Sequence, residues 1–368
     1  MQELQTQNLQ PIKLSQLPES PLVSVLVPNY NYAKYVGETL DSAIRQTYSH
    51  YEVIVCDDGS TDQSCEIIEA YLQKDSRIKL IRKPNGGVGS ALNTAYQESK
   101  GQIICILDAD DVWMDNKLYK IVEAFKAEPS SGFAIHNVIP VDANGNVIER
   151  KPLLSSMASG WMAISALENG GFIDDLPPAS ALCFRREVTD CIFPLNEAFV
   201  RNADALVRNF ALFLSSIVPV KDVLSKYRLH GSNLTFVQSL SADYLEREMN
   251  VAEQINLEIK HFLSEFYGPD IATRLTSIKS RQIYCHNRYI VARLKKASKS
   301  ERREAHQQLI NHPQFSWSGV EGWLLKKGEY LPDSVFALCF NQIYGNGWLK
   351  RLVKFIRKQR AVGQNSSA

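Results

Sequence analysis

Apolar and polar positions alternate in two rhythms along this chain. In the first hundred residues, short runs rich in β-branched residues read as strands: "LVSVLVP" (22–28), "YEVIVCDDGS" (51–60), "IKLIRK" (78–83) and "QIICILD" (102–108). Between them lie stretches with a helical period, at 34–47 (Val36, Leu40, Ala43 and Ile44 on one face), 61–75 and 86–101. Ser60, three residues before Gln63, reads as a capping pattern for the second of these helices, with Asp62 facing the helix dipole. Strands spaced by helices of this size predict right-handed βαβ units and a parallel sheet. Their nearly continuous apolarity predicts cover on both faces. A helix over 117–127 and a strand pair over 132–149, turning near Asn144-Gly145, follow. The pattern is mixed from about 155 to 235 and helical from about 240, with 241–268 the longest run. The expectation is an α/β fold with a mostly parallel central sheet flanked by helices, plus a helical C-terminal region. Its parts are a flexible lead over 1–20, the α/β domain over 21–238, the helical region over 239–360 and a disordered tail over 361–368.

Composition narrows the class. Of 368 residues, 45% are hydrophobic and 22% charged, which suits a globular protein, and a net charge of +1 gives no electrostatic case for nucleic acid. Seven cysteines without a CxxC pair argue against a disulfide framework or a zinc ribbon. No apolar run approaches the roughly 18 residues of a membrane span, and the first twenty residues have no signal-peptide core. These features predict a cytoplasmic protein. The segment "NGWLKRLVKFIRKQR" (346–360) adds peripheral membrane contact to the expectation, because Trp348, Leu349, Leu352, Val353, Phe355 and Ile356 recur near a helical period among six cations.

The candidate chemistry lies at strand ends, where ligands of open α/β sheets bind. In "ICILDADDVWM" (103–113), Asp108, Asp110 and Asp111 follow an apolar strand directly. Like charges this close repel, and burying them unpaired is costly. Asp108 and Asp110 can share one hard cation with substrate oxygens, as Mg²⁺ and Mn²⁺ commonly do beside a diphosphate. The plain alternative is a solvated turn with capping acids. Asp57-Asp58 ends another strand and offers carboxylates to a base or ribose, or simply a turn. "NGGVGSALN" (85–93) lacks the full G-x-G-x-x-G and reads as a helix start. In "YRLHGSN" (227–233), His230 can ligate a divalent metal or touch phosphate, and Arg228 can pair with a phosphate or a local carboxylate. Asp204, early in the apolar helix of 199–213, reads as a general base or as a first-turn acid on the helix dipole.

In this order, "VSVLVPNYNYAKYVGETLDSAIRQTYSHYEVIVCDDGSTD" (23–62), "NGGVGSALNTA" (85–95), "LDADDVW" (107–113), "PPASALCFRREV" (177–188) and "YRLHGSN" resemble glycosyltransferase family 2, inverting enzymes with the GT-A fold. The resemblance covers about 22–235. It implies that Pro28 and Tyr30 sit where the first strand meets a nucleobase, that Asp58 contacts the base, and that Asp57 supports that pocket or the ribose. It further implies that Asp108 and Asp110 form the DxD pair, with Asp110 the stronger metal candidate and His230 a late contact to metal or diphosphate. The family's base commonly falls in a Glu-Asp pair; here that place reads Asn202-Ala203-Asp204, so Asp204 alone carries over. The implied reaction is a metal-dependent (Mg²⁺ or Mn²⁺), non-processive transfer from a nucleoside-diphosphate sugar, UDP first and GDP or dTDP next. The acceptor is a glycan, lipid-linked sugar or protein in polysaccharide or glycoconjugate biosynthesis. The QxxRW element of processive synthases is absent. The rival readings are a sugar nucleotidyltransferase, for which 28–36 supplies only Lys34 as a basic residue, and a non-catalytic nucleotide-sugar binding protein.

Overall fold

The structure is a computed structural model that describes residues 9–200, 202–230, 240–315 and 319–344. The chain divides into two compact units, 1–234 with 258–275, and 235–257 with 276–368.

Among the described residues, the first unit is built on eight strands: β1 (Val23–Asn29), β2 (Tyr51–Asp57), β3 (Ile78–Arg82), β4 (Ile103–Ile106), β5 (Val112–Trp113), β6 (Ser131–Val141), β7 (Leu182–Arg185) and β8 (Ser216–Arg228). Its helices are α1 (Val36–Ile44), α2 (Ser64–Leu72), α3 (Val88–Gln97), α4 (Lys117–Ala127), α5 (Ala163–Glu168), α6 (Arg186–Asp190) and α7 (Ala203–Leu214). The strand order is β3-β2-β1-β4-β7-β6-β8-β5. The β3-β2-β1-β4 half is parallel, as the strand and helix alternation predicts. Beyond β4 the sheet is mixed: β7 runs antiparallel to β4 and β6, β8 runs parallel to β6, and β5 closes antiparallel on β8. Val25, Val27, Val53, Val55, Ile103 and Cys105 form the middle of a core with α1 and α4, which contribute Val36, Leu40, Ala43, Ile121 and Phe125. Burying each such aliphatic side chain is worth about 1.5–3 kcal/mol, so this core fixes where the strand ends lie.

Three local expectations are corrected. The segment expected to be a flexible lead is, over residues 9–20, held against the α/β unit. Leu9 is buried, Ile12 N–H donates to Leu214 O (2.8 Å), Ser15 Oγ donates to Glu187 Oε1 (2.5 Å), and Arg185 donates to Ser15 O (2.6 Å). Its irregular sequence hides this, because the partners lie 170 to 202 residues away. The strand pair of 132–149 is one long strand, β6, and a turn in which Gly145 N–H donates to Asp142 O (2.9 Å) with Gly145 at φ 82°. β8 takes one edge of β6 along nearly its whole length and β7 part of the other; the return meets β6 through an isolated bridge from Val147 to Val141 and through Ile148 N–H on Pro140 O (3.0 Å) and Leu153 N–H on Val138 O (2.9 Å). Ser60 is not the cap of α2; its hydroxyl turns back to Asp57 (2.6 Å), and Asp62 accepts the Ser64 N–H (3.0 Å) instead.

Helix α8 (Ala242–Tyr267) is the long run foreseen at 241–268. Its C-terminal part belongs to the first unit: Phe262 stacks on Phe210 at 4.5 Å, and Tyr267 OH donates to Phe213 O (2.8 Å). The short α9 (Pro269–Thr273) follows. The second unit adds α10 (Gln282–Leu294), α11 (Lys299–Ile310), α12 (Gly319–Lys327) and α13 (Asp333–Tyr344) around Tyr289, Ile290, Leu309, Leu324, Phe336 and Phe340. Among the described residues, no helix is long and apolar enough to cross a membrane. Residues 346–360 and 361–368 lie outside the described residues.

Candidate active site

The site begins where β4 ends. A buried apolar strand delivers the chain to Asp108, and the following turn, with Asp111 N–H on Asp108 O (3.1 Å), swings Asp110 and Asp111 inward. Thr39 of α1 pins this loop, its hydroxyl reaching both Ala109 O (2.9 Å) and Asp111 O (2.8 Å). The result is a cluster in which carboxylate oxygens of Asp108, Asp110 and Asp111 lie within 4.8 Å of one another. Asp110 and Asp111 are buried.

Such a cluster should raise its own proton affinities. Burial, with the charges of Asp111, Asp110 and Asp204, pushes Asp108 well above the usual carboxylate range. Burial and the Asp110 charge push Asp111 up to about 8, against the opposing bonds of Ser180 and Arg228. One oxygen of Asp111 accepts the Arg228 N–H (2.8 Å), while the other is buried with no hydrogen-bond partner among the described residues. An orphaned buried carboxylate oxygen among two further hard oxygen donors fits Mg²⁺ or Mn²⁺, and offers nothing to a soft metal.

His230 and Asp110 meet, Nε2 to Oδ2 at 2.9 Å. Tyr35 stacks on the imidazole at 4.7 Å and Tyr32 meets it edge-on at 6.0 Å, so the β1–α1 loop and the end of β8 are locked together. Burial and then the charges of Asp110, Asp108 and Asp111 drive the Tyr32 phenol far above its ordinary value, keeping it a neutral donor. Asp204 opens α7, after Asn202 turns the chain at φ 57°, and its charge is among those that raise Asp108.

Arg228, read as a partner for a phosphate or a local carboxylate, meets a local carboxylate here, that of Glu38. It is 2% exposed, its Nε donates to Asp110 O (2.7 Å), an Nη donates to Glu38 (2.5 Å), and its guanidinium lies 5.0 Å from the Tyr35 ring centre. Bound on these sides, it braces the acid loop.

At the neighbouring strand ends, Asp57 accepts from Asn29 Nδ2 (2.7 Å) and from Ser60 N–H (2.9 Å) and Oγ (2.6 Å). Burial alone would raise its pKa; these bonds outweigh it and hold Asp57 below the usual range. Asp57 is therefore the knot between β1 and β2. Asp58 accepts from Lys83 Nζ (2.7 Å), Gly86 N–H (3.0 Å) and Gly87 N–H (2.7 Å), drawing the start of α3 toward the strand ends. A base at Asp58 must share it with these donors. Pro28 is partly buried, and Tyr30 is exposed beside this group.

Sequence reasoning missed Ser180 and Lys117. Ser180 Oγ accepts the Asp108 N–H (3.0 Å), and its carbonyl accepts from Lys117 Nζ (2.8 Å) and Trp113 Nε1 (3.0 Å). Lys117 is fully buried with its ammonium 3.3 Å from the Trp113 ring centre. Burial lowers its pKa, and Cys183, Cys105, Asp111 and Asp108 oppose that. A buried lysine eleven residues beyond the end of β4 carries no signal in one sequence.

An open α/β sheet with an acidic cluster at the carboxyl end of a central strand, and mixed strands beyond it, is the GT-A fold. Two solved structures share it. TarS of S. aureus, in complex with UDP-GlcNAc, superposes with a TM-score of 0.51 at 17% identity, over 83% of this chain and 92% of that one. The mannosyltransferase PcManGT from Pyrobaculum calidifontis, in complex with GDP-Man and Mn²⁺, gives 0.50 at 18%, over 90% and 87%. The sequence profile of Glycosyl transferase family 2 matches residues 24–186. The uncharacterized glycosyltransferase alr2836 of Nostoc is 33% identical over 247 residues, 66% of this chain and 75% of that protein. The chondroitin synthase of Pasteurella multocida is 44% identical over 103 residues, 28% of this chain but only 11% of the synthase. The chain belongs to glycosyl transferase family 2 and is a glycosyltransferase.

Proposed function

We propose that this enzyme moves a single sugar from a nucleoside-diphosphate sugar to an acceptor hydroxyl, with inversion and with a divalent cation. The carrying observation is the three-carboxylate cluster with Asp204 in electrostatic reach of it. Asp108 and Asp110, with Asp111 alongside, would hold Mg²⁺ or Mn²⁺, and His230 orients Asp110 or joins the ligand set. A bound cation supplies charge neutralisation on the departing diphosphate. Pro28, Tyr30, Asp57 and Asp58 border the nucleoside. Asp204 accepts the proton of the acceptor hydroxyl as its oxygen attacks the anomeric carbon from the face opposite the diphosphate. One C–O bond forms, the other breaks, and its electron pair leaves with the diphosphate. UDP is the first candidate nucleotide, with GDP and dTDP next; the two solved neighbours named above hold UDP-GlcNAc and GDP-Man. The chondroitin synthase relative supports an acceptor in polysaccharide or glycoconjugate assembly. Such an acceptor is a glycan, a lipid-linked sugar or a protein, and contact of residues 346–360 with a membrane suits the lipid-linked case.

Two variants separate binding from chemistry. Asp110→Asn is expected to abolish Mn²⁺-dependent UDP or GDP binding in calorimetry while the protein stays folded. Asp204→Asn should keep that binding and lose about 10²–10⁴ in transfer rate, the usual worth of a positioned base. Metal-dependent binding unchanged in Asp110→Asn would overturn the metal site. Near-normal transfer in Asp204→Asn would make Asp204 a helix-start acid. Donor binding with no transfer to any hydroxyl acceptor would favour the non-catalytic reading.

A further inference from the structure

Charge is unevenly divided along this chain. Residues 276–368 hold 17 of the 41 Lys and Arg but only five of the 40 acids, a net +12, which leaves −11 on residues 1–275. The overall +1 conceals this split. Some of the basic excess is paired: Arg293 with Asp333 (3.1 Å), Lys295 with Glu246 (2.5 Å) and Arg288 with Glu304 (2.9 Å). The excess at α12 is turned outward. This helix buries Gly322, Leu324 and Leu325, and exposes Val320 (47%), Trp323 (49%), Lys326 and Lys327. Val320, Trp323 and Lys327, at i, i+3 and i+7, share one stripe, with Lys326 beside Trp323. Beyond Tyr344 the chain continues for 24 residues with six cations and no acid.

We propose that α12 is part of a docking surface for an anionic lipid bilayer, with Val320 and Trp323 entering the headgroup boundary while Lys326 and Lys327 meet lipid phosphates. It extends the membrane contact suggested for 346–360, and rests on that reading only in sharing the same lipid partner. Three features select this occupant. An indole is favoured where one side is apolar and the other wet, as at a bilayer interface. The segment 346–360 carries six cations and no acid, so it offers Lys326 and Lys327 no complementary charge. A soluble polyanion satisfies the lysines but gives Val320 and Trp323 no apolar phase. An anionic bilayer satisfies both, and the charge of residues 276–368 draws it in over a Debye length.

The test is co-sedimentation of the full chain with phosphatidylcholine vesicles, with and without phosphatidylglycerol, over a salt series. Three variants join it: Trp323→Ala, Lys326→Gln with Lys327→Gln, and a chain ending at Tyr344. Binding should require phosphatidylglycerol and weaken with salt. The lysine pair should lose most of the salt dependence assigned to α12. Trp323→Ala should bind about tenfold more weakly, the scale of one aromatic side chain withdrawn from a bilayer interface. The chain ending at Tyr344 should keep residual binding that Trp323→Ala then removes. Trp323 is half-exposed, so unchanged melting of Trp323→Ala confirms that folding is not the cause. Parental binding by a folded Trp323→Ala overturns the proposal. So does equal recovery on dextran sulfate independent of Trp323, which would indicate a soluble polyanion, or a Trp323-dependent dimer in solution, which would indicate a second copy. Loss of vesicle binding with transfer to a soluble acceptor intact would remove the docking surface and leave the glycosyltransfer reading standing. Vesicle binding without transfer would do the reverse.

Discussion

Asp111 shows how one residue can report the state of the whole site. It is buried, one of its oxygens has no hydrogen-bond partner among the described residues, and its pKa is pushed up to about 8 by burial and by Asp110. An unfolded aspartate titrates near 3.9. Between these values the folded protein holds a proton that the unfolded chain releases, so metal-free stability falls as pH rises through this window and is lowest above it. Asp108 is shifted in the same direction. A divalent cation must displace these protons, so Mn²⁺ affinity should rise from about pH 6 to 8 with measurable proton release. Thermal melts with Mn²⁺ and with a chelator at each pH check both parts. An affinity independent of pH over that range would mean that the carboxylates are already ionised without metal.

The start of α3 depends on two glycines that differ in kind. Gly87 sits at φ 87°, and a Cβ there would lie 2.7 Å from Val200 Cα. Its N–H is also one of the donors to Asp58. Gly86 has no left-handed φ, and a Cβ there would meet side-chain atoms alone, Lys83 Nζ and Ser90 Oγ at 2.9 Å and Ser90 Cβ at 3.0 Å. Gly87→Ala is therefore expected to cost about 1–3 kcal/mol through backbone strain, and to weaken nucleotide binding by displacing Asp58. Gly86→Ala should cost less, since it carries no left-handed strain, Lys83 Nζ and Ser90 Oγ can rotate aside, and Ser90 Cβ need yield only a few tenths of an ångström. Chemical denaturation and nucleotide titration of both variants test this, and equal effects would contradict the strain argument. This element was half legible: the glycine-led helix start could be read from "NGGVG", but which glycine is indispensable depends on Val200, more than a hundred residues away.

For the whole molecule, the irregular lead is the plainest case of structure held by remote partners. Deleting residues 1–20 removes the buried Leu9, the Ile12 bond to Leu214 and the Ser15 contacts with Arg185 and Glu187. Arg185 is 1% exposed and would lose a carbonyl partner. A buried leucine alone is worth about 1.5–3 kcal/mol, and each kcal/mol shifts the Tm of a unit this large by about 2–4 °C. The deletion is therefore expected to lower the first melting transition by several degrees in calorimetry, with the active-site residues unaltered. An unchanged transition would show that the lead adds no net stability.

What the sequence determined follows from local periodicity and from motif order. Alternating strands and helices specified the parallel half of the sheet, because each βαβ crossover leaves few alternatives. The strand ends placed Asp57, Asp58, Asp108 and Asp110 on one side of the sheet, and the ordered motifs named the family. Tertiary structure decided what depends on distant partners. It made β7 and β8 neighbours of strands far from them in sequence, set Ser180 and Lys117 beneath the acid loop, and joined Arg228 to Glu38 and the Asp110 carbonyl. It also brought His230 onto Asp110 across 120 residues. A single sequence records which side chains are available. Which pairs meet is settled only when the core packs, because burial, rather than spacing, selects the partners that satisfy each buried charge.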